Sequence, residues 1–209
     1  MRIQEITQQI ETAIQHERRT GTLRAALVRV AHFHGKSPTG AELDEVVRFC
    51  TEYVQHVPVL MAATQGLASK HGMSSVGPLL SSCESYWVNG FDIIPDHQGL
   101  LGLVDDAYYT LTIIERISES HRQRTNVPLF DLPLREANAS MRQLIGEPHA
   151  TMLDSHVQAA LGAPAFMGLL TQLFQGMQFA TPIVDRDPIW GNASTEEIVK
   201  VQMGAMGIV

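Results

Sequence analysis

Four carboxylates crowd into the fifteen residues from Asp92 to Asp106, which read Asp-Ile-Ile-Pro-Asp-His-Gln-Gly-Leu-Leu-Gly-Leu-Val-Asp-Asp. Charge at that density beside Ile, Leu and Val has to be held by caps, arginines or a metal. As a cation site, Asp92, Asp96, Asp105 and Asp106 would supply oxygens and His97 a nitrogen. Carboxylates suit Mg2+ or Mn2+, and the single histidine tilts the choice towards Mn2+ or Fe2+. Such a centre would suit a hydrolase, with Asp92, Asp96 and Asp106 as ligands and His97 as ligand or general base. Aspartate is also the common residue of turns and helix N-termini, so the same acids can brace a sharp reversal between two helices without any ion. A third use is an acidic surface for a basic partner.

The helix that must carry the end of this motif runs over roughly residues 103–120. At about 100° per residue, Leu103, Val104, Ala107, Leu111, Ile113, Ile114 and Ile117 share one apolar arc. Asp105, Thr112, Glu115, Arg116 and Glu119 face away from it, which makes Asp105 an ordinary first-turn acid favoured by the helix dipole. Asp106 falls inside the arc. A buried carboxylate needs donors, and backbone N–H groups of the turn from Asp92 to Gly102 are at hand. Pro95 sets one backbone angle there, and Gly99 and Gly102 permit tight geometry.

The spacing D-x-x-P-D-x-x-x-x-x-G-x-x-D-D, carried by Asp92, Pro95, Asp96, Gly102, Asp105 and Asp106, resembles the signature of the YkvA-like helical family. The likeness covers roughly residues 78–118 and implies a helical hairpin of unsettled biochemistry, with no catalytic residues to carry over. Relatives often have Phe-Ile-Pro after the second aspartate, and some carry the domain in membrane-associated proteins. Here the residues are His97-Gln98-Gly99, a more polar and flexible turn.

Elsewhere the chain reads as helix throughout. Ile3, Ile6, Ile10 and Ile14 mark a first amphipathic helix over 3–18, and Thr20-Gly21-Thr22 punctuates it. Leu23, Leu27, Val30 and Ala31 mark a second, which ends at His34-Gly35-Lys36-Ser37-Pro38. Thr39 and Glu42 form a capping box for a third, with Leu43, Val46, Val47, Cys50 and Val54 on one face and Pro58 set to kink or divide it. Gly77-Pro78 opens the helix before the acidic motif. Asp131-Leu132-Pro133 reads as a cap and early proline for a helix over 133–145, and another covers 148–161. An apolar helix follows Pro164, and Ser194-Thr195-Glu196-Glu197 caps a last, Met-rich one. Alternating strand patterns are absent, so the expected fold class is all-α, a bundle of seven to nine helices. One domain over 1–180 holds the hairpin, and 181–209 is a loop and a helix that docks on the core or on a partner.

Composition limits the function classes. The 209 residues are 44% hydrophobic and 18% charged, with a net charge of −7, which argues against nucleic-acid binding by the whole chain. Charge is uneven: residues 1–36 hold six basic and three acidic side chains, a balance of +3, which leaves −10 on the rest. That basic hairpin is expected to pack on the protein's own acidic face or to meet an acidic partner. Cys50 and Cys83 show no ligand spacing and read as buried thiols of a reducing compartment. The N-terminus lacks a signal-peptide core, so a cytoplasmic location is expected. Residues 155–184 carry no Asp, Glu, Lys or Arg, but Gln158, Gln172, Gln175 and Gln178 favour a buried helical hairpin over a membrane span. His32 and His34 at a helix end, and His149 and His156 with Glu147 and Asp154, read as surface residues. Ser81, Ser82 and Cys83 sit in no nucleophile elbow, and no phosphate loop occurs.

The chain therefore reads as a protein–protein interaction or assembly factor, engaging a protein partner or a second copy of itself. A carboxylate-rich, divalent-metal-dependent hydrolase is the first alternative, and a membrane-associated helical protein is the second.

Overall fold

Isoleucines four apart build the first layer: Ile6, Ile10 and Ile14 are buried on one side of α1 (Ile3–Thr20). Gly21, at φ 63°, ends that helix and donates its N–H to the Glu17 carbonyl at 2.8 Å, so α2 (Thr22–Phe33) starts at once in a new direction. The computed structural model describes residues 2–71, 76–88, 93–94, 96–164, 166–168 and 170–171, with the backbone alone for Asp96 and His97.

The Thr39 box closes in both directions. Thr39 N–H donates to Glu42 Oε2 at 2.6 Å, and Glu42 N–H donates to Thr39 Oγ1 at 3.3 Å. From it runs α3 (Gly40–His71), 32 residues long and continuous through Pro58. The expected division at that proline does not occur. Val57, Leu60 and Met61 around it are fully buried, and this packing holds the helix across the hydrogen bond that proline cannot make.

After α4 (Val76–Val88), a 3₁₀ segment (Asp96–Leu103) leads into α5 (Val104–Thr125), which is the axis of the molecule. It packs against α3, α4, the 3₁₀ segment, α6 (Leu134–Ile145) and α7 (His149–Leu161). From Leu103 to Ile114 every residue is buried. The one-sided wheel read from the sequence is thus wrong over 103–114, where neighbours cover the helix all round and Asp105 and Thr112 go inside with the leucines, while Arg116 faces out as expected. Asn126, at φ 62°, ends α5.

The expected Asp131 cap is absent. It is exposed, and α6 begins after Pro133 with no side-chain cap. The turn before it is anchored from α5 instead, where Ser118 Oγ accepts the N–H groups of Leu129 at 3.1 Å and Phe130 at 3.2 Å. Among the described residues there is no strand, and no helix is long and apolar enough to cross a membrane. Helical backbone continues at 164, 166–168 and 170–171. The Met-rich final helix and the division at 181 lie outside the described residues.

Candidate functional site

Asp105 Oδ2 accepts the backbone N–H groups of Ile93 at 3.0 Å and Ile94 at 3.1 Å. The first turn of α5 thereby reaches back and holds the chain just ahead of Pro95. This is the role the sequence pattern assigned to Asp106. Both aspartates are 0% exposed, and the correction follows from the enclosure of α5, which leaves no outward face for Asp105. Asp92 lies outside the described residues, as do the side chains of Asp96 and His97. Among the described residues no group of three His, Cys, Asp or Glu side chains is disposed to hold a metal ion.

The turn is closed from above by α1. Gly99 adopts φ 66° and ψ −131°, and a Cβ there would lie 2.7 Å from His16 Cδ2. A cleft of about 530 Å³ runs between α1 and this turn, with Gln8, Thr12 and His16 on one wall and Leu103 on the other. Of the motif's four acids, Asp105 and Asp106 are thus enclosed, and Asp105 serves as a backbone anchor.

Sequence reasoning missed two polar networks around α5. Tyr53 Oη donates to Asn138 Oδ1 at 2.5 Å, and Asn138 Nδ2 donates to Glu115 Oε2 at 2.7 Å. Tyr108 Oη donates to Asp154 Oδ1 at 2.7 Å, whose Oδ2 accepts from Arg142 Nε at 2.8 Å. Arg142 also pairs with Glu147 at 2.9 Å. Asp154, read as a surface residue, is a half-buried junction of α5, α6 and α7. Burial, then the hydrogen bond to Asp154, pushes the Tyr108 phenol up, so it acts as a donor and not as a base. The signal available in the sequence was an Arg and an Asp twelve apart, which is no local motif.

Nucleophile chemistry finds no support in the cysteines. Cys50 and Cys83 are free and buried, and burial pushes the Cys83 thiol up to about 12. Ser82 Oγ lies 3.2 Å from Tyr109 Oη, and His156 is exposed and meets Tyr86 edge-on.

The most exposed large apolar side chain among the described residues lies at the far end of α2. Phe33 is 87% exposed and Val30 37%. Arg29, His32, His34 and Lys36 surround them and are exposed too. Four backbone bonds close this end: His34 N–H to Val30 O at 3.2 Å and to Ala31 O at 3.1 Å, Gly35 N–H to His32 O at 2.9 Å and Lys36 N–H to Ala31 O at 2.8 Å. His34 packs edge-on to Phe33, with ring centroids 5.3 Å apart. From Arg18 to Ala41 the chain holds Arg18, Arg19, Arg24, Arg29 and Lys36 and no acid. Of these, Arg24 is tied to Asp44 and to the Gly40 carbonyl, so the basic hairpin meets the protein's own acids at that point. Arg18, Arg19, Arg29 and Lys36 make no ion pair among the described residues. The sequence marked the histidines; the exposure of Phe33 between them was not legible, because it depends on where α2 stops against its neighbours.

Compared with protein-family models, curated proteins and solved structures, the chain matches none.

Proposed function

We propose that this chain is a protein–protein interaction or assembly factor whose contact surface is the Phe33 end of α2. The observation that carries the reading is an aromatic side chain 87% exposed on a hydrogen-bonded, basic helix end. An exposed phenylalanine gives up favourable burial, and enclosing it in a partner recovers about 1.5–3 kcal/mol. Phenylalanine and arginine are also enriched in the cores of protein interfaces. The surrounding positive charge would steer an acidic partner and orient it. Catalysis is supported less well: the thiols are buried, Tyr108 is a donor, and Asp105 is engaged with backbone. The YkvA-like resemblance brings no catalytic residue to weigh against this.

The test is a photo-crosslinking amino acid placed at position 33, with one at Val59, which is 55% exposed, as the control. Illumination in the native cell extract is expected to give a discrete adduct from position 33 and none from position 59. Equal diffuse labelling from both positions would overturn the reading.

A further inference from the structure

The charge that surrounds Phe33 has a counterpart on this same chain. Between the end of α5 and the start of α6 lies a cleft of about 280 Å³, floored by Pro128, Phe130 and Leu132. Its rim carries Glu115, Glu119, Asp131 and Glu136 against Arg122 and Arg135. Glu115 is held by Asn138 and Glu119 by Arg122, whereas Asp131, Glu136 and the cation Arg135 make no ion pair among the described residues. Charge complements the helix end: the cleft carries four acids against two arginines where the tip is basic, and Pro128, Leu132 and Leu134 give an aromatic ring apolar surface to meet.

We propose that Phe33 of one molecule docks in the α5–α6 cleft of a second copy, with Arg29 and Lys36 facing Asp131 and Glu136. The inference rests on the interaction reading above and names its partner. Charge complementarity points to a second copy, since this chain itself carries both the basic tip and the acid-rich cleft. α2 packs on α3 and the 3₁₀ segment, whereas the cleft belongs to α5 and α6, so the two surfaces are different. A contact between unlike surfaces leaves each new molecule with one tip and one cleft free. It therefore propagates head to tail into rings or open chains, where a contact of like surfaces would stop at a dimer.

The experiment is sedimentation velocity of the full chain over a concentration series, at low salt and at about 0.5 M salt, where charge attraction is screened. Species larger than a dimer are expected at low salt and fewer at high salt. Phe33→Ser should weaken association by about tenfold or more, from the lost apolar burial, with an unchanged circular dichroism spectrum because the side chain is exposed. Two variants make the decisive mixture. Phe33→Ser has a damaged tip that keeps its positive charge, and D131R/E136R has a reversed cleft that repels any basic tip, so each alone should be largely monomeric. Mixed, the intact tip meets the intact cleft, and the product should stop at a heterodimer. A wild-type monomer at all concentrations, or association that Phe33→Ser leaves intact, overturns the inference. If position 33 then crosslinks to a different protein, only the identity of the partner was wrong. If position 33 gives no specific adduct either, the interaction reading fails with it.

Discussion

Glu17 caps a helix to which it does not belong: its Oε2 accepts the N–H of Leu23, in the first turn of α2, at 2.8 Å. Its Oε1 takes the next N–H, that of Arg24, at 3.2 Å. The same device recurs twice around α5, where Asp105 holds Ile93 and Ile94, and Ser118 holds Leu129 and Phe130. In each case one side chain takes two consecutive backbone donors and pins a chain reversal that carries no cap of its own. Orphan N–H groups at helix starts and in buried turns must be satisfied, and here distant side chains do it.

Replacing Glu17 tests that role. The residue is 7% exposed, so Glu17→Ala leaves two N–H groups with little access to water. A loss of about 1–3 kcal/mol is expected in urea unfolding, and Glu17→Gln, which keeps one carbonyl acceptor, should lose less. Equal stability of wild type and Glu17→Ala would show that the capping bonds contribute nothing net.

Asp105 separates scaffold from metal site. As a backbone anchor, Asp105→Ala should cost about 1–3 kcal/mol, and the wild-type melt should not move with EDTA. Elemental analysis of protein purified without chelator completes the test. A stoichiometric divalent metal with a melting temperature that drops in EDTA would make the acidic turn a cofactor site.

Gly99→Ala should destabilise for two separable reasons. The positive φ costs an L-residue about 1–3 kcal/mol, and the new Cβ collides with the His16 ring. Adding His16→Ala should relieve the collision and leave the backbone cost. Thermal melts of both single variants and the double variant form the cycle; strict additivity would mean that the two residues do not press on each other.

Glu52 sets a pH dependence. Burial raises its carboxyl pKa above the ordinary value, Arg48 opposes the rise, and Oε2 has no hydrogen-bond partner among the described residues. The folded state therefore holds this proton more tightly than the unfolded state. Between the ordinary and the raised value the unfolded chain binds fewer protons, so the Glu52 contribution to stability falls as pH rises through that window. Glu52→Gln should gain on wild type across it and hold that gain at neutral pH. Urea unfolding over a pH series reads the difference, and a Gln variant that loses ground with rising pH would reverse the sign.

The thiols give a chemical check. Cys50 and Cys83 are fully buried with raised pKa values, so neither should react with a disulfide reagent at pH 8 in the native protein. Both should titrate once urea unfolds the chain. Rapid native labelling would mean that the core opens locally.

Most helix ends were legible because their causes are local. Gly21 needs a positive φ, and Thr39 and Glu42 are three apart, whereas α5 runs to Thr125, five residues beyond the expected end. The acidic motif was legible as a braced reversal but its key residue was misplaced by one position. A helical wheel assumes one solvent face, and α5 has none over its first three turns.

By itself, then, the sequence determined the all-α class, the order and most of the ends of the helices, and a basic N-terminal hairpin on an acidic chain. These follow from periodicity, capping chemistry and charge, which act over a few residues. Only the tertiary structure decided that Asp105 anchors Ile93 and Ile94, that Tyr53 reaches Asn138 across 85 positions, and that Phe33 stays outside while Val30 sits at its edge. Burial and hydrogen-bond partnership belong to the space between elements, and that space exists only once α5 has been enclosed.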